Sequence, residues 1–223
     1  MNRKALASMG WIIRTMRTEA GKRDPPVNKI DKITRSSPFR ALVFTILSAR
    51  TKDANTIAAA GKLLAEAPDP QSLARMNVKK IEKLVRSSGF YRMKARDLSA
   101  MAKMLLKDFK GKVPSDLENL VRLPGVGRKT ANILLVYSFG KDAIPVDTHV
   151  HRISNRLGIV KTKTPEKTEE ALMAAVPRKF WKPLNHAFVS YGQTICLPRG
   201  PRCGECKLNG ICWKVGVPRP IYS

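Results

Sequence analysis

The sequence predicts an all-α protein. Apolar residues recur at helical spacing in one segment after another, and no run alternates β-branched and polar residues as a half-buried strand would. The linkers between periodic segments are short, as in a compact helical fold. Taken in order, Ala5–Thr18 reads as a first helix. Ser37-Pro38 opens the next with proline at the first helical position, and Phe39, Leu42, Val43, Ile46 and Leu47 form one apolar stripe. Asp69-Pro70 starts a short helix through Met76, and Asn77 caps another whose inward face is Ile81, Leu84 and Val85. Ser88-Gly89 breaks the chain before a stripe of Leu98, Met101, Ala102 and Leu105. Ser115 is expected to start a helix through Val121, and a turn at residues 124–127 leads into Lys129–Ser138. Thr148–Leu157 and Thr164–Ala175 complete the series. The helices from residue 31 to 141 are expected to form one domain, and residues 1–30 with 142–223 a second.

Charge narrows the class. Forty-two Lys and Arg against 17 Asp and Glu leave a formal net charge of +25 on 223 residues, yet 43% of the chain is hydrophobic. Such a chain has material for a core and is not a disordered polycation. The excess is +13 over residues 1–100 and +12 over residues 101–223, which excludes a detachable basic tail. A folded body with a positive surface is expected to meet a polyanion. The apolar runs, such as Ile133–Val136, fall far short of the ~20 residues that span a bilayer. Arg14 and Arg17 interrupt any signal-peptide stretch, so an intracellular protein with no membrane partner is expected, cytoplasmic and nucleoid-associated, or nuclear or mitochondrial in a eukaryote.

All four cysteines fall in one C-x6-C-x2-C-x5-C run, at Cys196, Cys203, Cys206 and Cys212. A disulfide framework would be distributed along a small secreted fold. Structural zinc usually takes two short ligand pairs held apart, whereas a continuous wrap suits a four-thiolate iron–sulfur cluster. Spacing alone favours the cluster and leaves zinc and free thiols open.

Leu123-Pro124-Gly125-Val126-Gly127-Arg128-Lys129-Thr130 carries the most chemistry. Pro124 suits a tight turn, and Gly125 and Gly127 permit positive φ and close backbone approach. The turn delivers a helix N-terminus, whose free N–H groups and dipole favour a phosphate. A Gly-rich helix–helix turn without a ligand is the plainer reading. Further on, Asp147 stands ahead of a helical pattern as an N-cap, or as a carboxylate partner for Lys129. A lysine that is unprotonated part of the time can attack an electrophilic sugar carbon and form a Schiff base.

Three motifs in this order and spacing resemble the endonuclease III family of helix–hairpin–helix DNA glycosylases. They are the glycine turn with Lys129, the run Val146-Asp147-Thr148-His149, and the cysteine pattern; Leu47-Ser48-Ala49, Gly89-Phe90-Tyr91 and Pro201-Arg202-Cys203-Gly204 extend the likeness along the chain. The resemblance implies a two-domain helix–hairpin–helix fold with an iron–sulfur loop at 196–212. It implies a monomeric bifunctional glycosylase and AP lyase acting on double-stranded DNA with an oxidised pyrimidine or an abasic site. Lys129 would be the nucleophile and Asp147 the catalytic carboxylate. Gly125, Val126, Gly127 and Arg128 would grip a phosphate, Cys196, Cys203, Cys206 and Cys212 would hold a [4Fe-4S] cluster, and Arg199 and Arg202 would face DNA. Phe90 would fill the gap left by the extruded base, and Arg50 would meet the orphaned opposite base.

Arg50 departs from the family pattern, in which glutamine is usual, and a guanidinium prefers guanine geometry. Phe90 stands where leucine is common and reads equally as a core side chain beside Tyr91. Two rival functions remain open at this point. A monofunctional mismatch glycosylase would lack the hairpin lysine, and a non-catalytic metal-stabilised DNA-binding module would have no need of Lys129 or Asp147.

Overall fold

The computed structural model describes residues 1–28 and 37–217, and these contain helices and no strand. They divide into two compact units, Lys29–Lys141 and Met1–Asn28 with Asp142–Ser223. The boundary expected at residues 30 and 31 lies outside the described residues.

In the first unit, α3 (Pro38–Ser48) is buried from Phe39 to Leu47 on every side except Arg40, which is the pattern of a central helix. Ser37 caps it, accepting from the Arg40 N–H, and proline occupies the first turn. Around it pack α4 (Asp53–Glu66), α7 (Tyr91–Phe109) and α9 (Arg128–Tyr137). The short helices α5 (Pro70–Arg75) and α6 (Val78–Leu84) pack on α7, and α8 (Leu117–Arg122) packs on α9. Leu98, Met101, Ala102 and Leu105 of α7 are all fully buried, so the stripe read from their spacing is the core face.

The second unit pairs α2 (Met9–Gly21) with α12 (Trp181–Thr194), and α12 also carries α10 (Thr148–Arg156), on which α11 (Pro165–Ala175) rests. Its N-terminus is tied down through Asn2, which is buried. The Asn2 amide donates to the carbonyls of Leu157 and Ile211 at 2.8 Å, and its side-chain oxygen accepts from the Ala5 N–H.

Four details differ from the sequence expectation. The helix expected over Ala5–Thr18 is α1 (Arg3–Ala7) followed by α2, with a break at Ser8 that no proline or glycine marks; the anchored Asn2 fixes the first turn instead. Asp116 rather than Ser115 caps α8, accepting from the Asn119 N–H, while Ser115 receives the Lys141 ammonium. α4 was not foreseen, because its inward stripe of Thr56, Ala59, Ala60, Leu63 and Leu64 is mostly small residues. α12 was not foreseen either, since Pro183 and Gly192 interrupt its pattern; Pro183 falls in the first turn, where no intrahelical N–H is lost. No described helix is long and apolar enough to cross a membrane.

Candidate functional site

The glycine turn joins α8 to α9. Leu123 ends α8 in an extended conformation, and the Val126 N–H donates back to the Leu123 carbonyl at 3.0 Å, closing the turn. Gly125 lies at φ +78°, where a Cβ would also come within 3.1 Å of the Asp97 Cβ, so this position needs glycine. Gly127 does not behave as expected. Its φ is −88°, open to any residue, and a Cβ there would meet nothing within 4 Å. It is the N-cap of α9 and supplies no side-chain cap, so the first-turn N–H groups are left without one. Val126 is buried and pins the turn to the core, while Gly125, Gly127, Arg128 and Lys129 are exposed. Lys129 is the second residue of α9, and its ammonium makes no side-chain bond among the described residues. The result is an uncapped, dipole-bearing helix start with two exposed cations on it, which is an anion cradle with an amine at its lip.

Asp147 is the N-cap of α10. Its Oδ1 accepts from the N–H of His149 at 2.9 Å and of Val150 at 2.8 Å, so the plainer sequence reading describes its local role. The carboxylate is only half-buried, and Oδ2 takes no part in the cap.

The cysteine loop follows α12. Cys196, Cys203, Cys206 and Cys212 are all free and half-buried, and all four line one small cavity together with Arg156 and Ile195. Donors reach three of the sulfurs: Arg156 Nη1 to Cys196 at 3.4 Å, the Tyr191 hydroxyl to Cys206 at 3.1 Å, and the Lys214 N–H to Cys212 at 3.4 Å. Arg156 is buried and also donates to the carbonyls of Leu197 at 2.7 Å and Pro198 at 2.9 Å, tying the start of the loop to α10. Burial pushes the Cys206 and Cys212 thiols up, with the donors to their sulfurs opposing it. Among the described residues no group of three or more His, Cys, Asp or Glu side chains is placed to hold a single metal ion. Arg199 and Arg202 are exposed on the same loop.

Arg50 and Phe90 come together in the first unit. Arg50 follows α3, Phe90 precedes α7, and the guanidinium lies 5.6 Å from the centroid of the Phe90 ring. Phe90 is 58% exposed, which rules out the core reading offered for it.

A family model described as HhH-GPD superfamily base excision DNA repair protein matches residues 43–178. Endonuclease III of Thermotoga maritima is 46% identical over 90% of this chain and 92% of its own length. That of Bacillus subtilis is 37% identical over 81% and 83%. A solved structure of a trapped endonuclease III–DNA covalent intermediate superposes with a TM-score of 0.82 at 31% identity, covering 93% of this chain and 95% of that one. The chain belongs to the endonuclease III family. It is a base-excision repair enzyme, a DNA glycosylase and AP lyase. The same match carries the all-α helix–hairpin–helix fold read from the sequence.

Sequence reasoning missed three residues that organise this family member's sites. Tyr191 and Arg156 serve the cysteine loop, and nothing in their spacing marks them. Lys94 left a signal: it sits at i−4 and i−7 from Leu98 and Met101, on the apolar stripe of α7, and it is only 3% exposed. A lysine on a core face is rarely idle.

Proposed function

We propose that Lys129 is the nucleophile of this enzyme and Asp147 its catalytic carboxylate, acting on oxidised pyrimidines in duplex DNA and on abasic sites. The turn from Gly125 to Arg128 grips a phosphate through backbone N–H groups, reading backbone rather than sequence. Arg199 and Arg202 add phosphate contacts from the cysteine loop, and the exposed charge carries salt-sensitive scanning. The target nucleotide is extruded, because C1′ of a stacked nucleotide is out of reach. The unprotonated Lys129 Nζ attacks C1′; the C1′–N bond to the base breaks and the base leaves with the bonding pair, taking up a proton. Asp147, as a carboxylate, takes a proton from the amine and stabilises the positive charge that develops on the sugar. Ring opening gives a Schiff base. Loss of a C2′ proton then expels the 3′ phosphate by β-elimination, and water releases Lys129.

Cys196, Cys203, Cys206 and Cys212 would hold a [4Fe-4S] cluster. Four sulfurs around one cavity, met by three N–H or O–H donors, suit thiolates on a polynuclear centre. When bound, the group serves as a covalent clamp on the loop that presents Arg199 and Arg202. An enzyme of this kind works at the nucleoid in the cytoplasm.

The observation that carries the reading is the free primary amine at the start of an uncapped helix, beside backbone donors for a phosphate. Borohydride reduction on a duplex with an abasic site or thymine glycol tests it. Wild type is expected to give a covalent adduct and Lys129→Ala none; an undiminished adduct in the variant overturns the assignment. Purified protein is expected to be brown with about four iron atoms per chain, and stoichiometric zinc without visible absorption would overturn the cluster.

A further inference from the structure

Lys94 is buried and, among the described residues, has no carboxylate partner; its ammonium meets oxygens of two loops. Nζ donates to the Leu47 carbonyl at 2.7 Å and the Ala49 carbonyl at 2.6 Å, and reaches Thr51 Oγ1 and Ser88 Oγ at 2.9 Å each. The first three belong to the end of α3 and the loop after it, and Ser88 to the loop before α7. Further bonds knit the same two loops: Ser88 Oγ donates to the Leu47 carbonyl at 3.1 Å, and the Gly89 N–H to Thr51 Oγ1 at 3.0 Å. The backbones touch as well, since a Cβ on Gly89 would lie 2.6 Å from the Arg50 carbonyl oxygen.

Each loop carries one residue in the left-handed region, Arg50 at φ +52° and Phe90 at φ +57°. Non-glycine residues are strained there and persist only where their surroundings over-determine them. These are also the two side chains that stack on each other at the surface. The backbone N–H of Lys94 donates to the Phe90 carbonyl at 3.1 Å, so one residue holds Phe90 through its backbone and the Arg50 loop through its side chain.

A buried ammonium is an expensive way to join two loops. Burial pushes Lys94 down to about 8, and a methionine of similar length would fill the site without that cost. What a methionine cannot do is satisfy the Leu47 and Ala49 carbonyls at the negative end of α3 and the two hydroxyls at once.

We propose that Lys94 is a positioning residue: by clasping the 47–51 and 88–90 loops it presets Arg50 and Phe90 as one rigid wedge, and so sets how the enzyme discriminates the base opposite the lesion. This rests on the reading of Arg50 and Phe90 as the groups that meet the gap and the orphaned base. A preset pair needs no ordering when the base leaves, so its stacking and hydrogen bonding are spent on the extruded state.

The test measures single-turnover base excision on duplexes with thymine glycol opposite each of the four normal bases, for wild type, Arg50→Ala, Phe90→Ala, Lys94→Met and Ser88→Ala. In parallel, 2-aminopurine opposite the lesion reports unstacking of the orphaned base. Lys94→Met is expected to shrink the spread of rates across opposite bases by about tenfold, the scale of one lost charge-assisted interaction, and to abolish the enzyme-induced 2-aminopurine signal. Arg50→Ala is expected to do the same. Ser88→Ala, which keeps the lysine and removes one acceptor, is expected to act in the same direction by about threefold, as for a neutral hydrogen bond, and it stands in if Lys94→Met does not fold. A uniform loss on all four duplexes with the spread and signal intact means a merely structural lysine and overturns the proposal. Silent Arg50→Ala and Phe90→Ala variants would instead remove the wedge reading, and the proposal with it.

Discussion

The two units carry their chemistry in opposite ways. In the Lys29–Lys141 unit, Lys129 is exposed at the start of α9 and bonds to no side chain among the described residues. In the other unit Asp147 and three of the four cysteines also have a structural duty: Asp147 caps α10, and the sulfurs of Cys196, Cys206 and Cys212 accept from Arg156, Tyr191 and Lys214. The difference predicts where activity and stability separate under mutation. A residue with one duty can be removed cleanly, while a residue with two can be tested only by a substitution that keeps one of them.

Lys129→Ala should give the largest loss of turnover and the smallest loss of fold. Excision and strand nicking are expected to fall on the order of 10⁴-fold or more, the scale of deleting a covalent nucleophile, with stability unchanged within about 0.5 kcal/mol as for an exposed site. Single-turnover kinetics and thermal melting check both halves. A melting temperature that falls along with the rate would show that Lys129 has a structural duty as well.

At Asp147 the two duties can be parted. Asparagine caps helices as well as aspartate does, so Asp147→Asn should lower turnover by about 10²–10⁴-fold, the range of general acid–base groups, while the melting temperature holds. Asp147→Ala removes the carboxylate and the cap together and should lose about 1 kcal/mol of stability in addition. If the two variants are equally unstable, the cap bonds to His149 and Val150 contribute nothing and the contrast between the units collapses.

How much of this was legible in advance follows the same division. Most helices were readable, because residues such as Leu98, Met101, Ala102 and Leu105 write their burial into a 3.6-residue period. Asp147 as a cap and the cysteines as a group were readable because their signals are local in sequence. The break at Ser8 was not, since its cause is Asn2 bonding to Leu157 and Ile211, more than 150 residues away. Lys94, Arg156 and Tyr191 were missed for the same reason: each acts across long sequence separations, and only the fold shows which oxygens or sulfurs they meet. Gly127 failed differently, because a glycine can be kept for empty space as well as for φ, and sequence does not distinguish the two.

Arg156 tests the embedded side of the comparison. Arg156→Met keeps most of the buried volume but leaves the Leu197 and Pro198 carbonyls without their donor. A loss of roughly 3 kcal/mol is expected, since charged hydrogen bonds contribute about 1.5–3 kcal/mol each and do not add fully. The visible absorption of the proposed cluster should bleach faster in air. Intact stability with altered absorption would mean that Arg156 serves the sulfur alone.

The smallest effects come from the two glycines of the turn, and they bear most directly on what the exposed unit does. Gly125→Ala should lose about 1–2 kcal/mol, because its φ of +78° is unfavourable for an L-residue and its Cβ would press on Asp97. Gly127→Ala has neither problem, and its stability should stay within about 0.5 kcal/mol or rise slightly as the unfolded chain is stiffened. A methyl group at 127 would, however, occupy open space beside the uncapped N–H groups that are proposed to receive a phosphate. Duplex affinity at fixed salt should therefore weaken by about tenfold, or 1.4 kcal/mol, in a protein that melts like wild type. Should Gly127→Ala bind DNA normally while Gly125→Ala is destabilised, the turn would be only a helix–helix connector at 127, and the phosphate would have to be held by Arg128 and the helix dipole without close backbone approach.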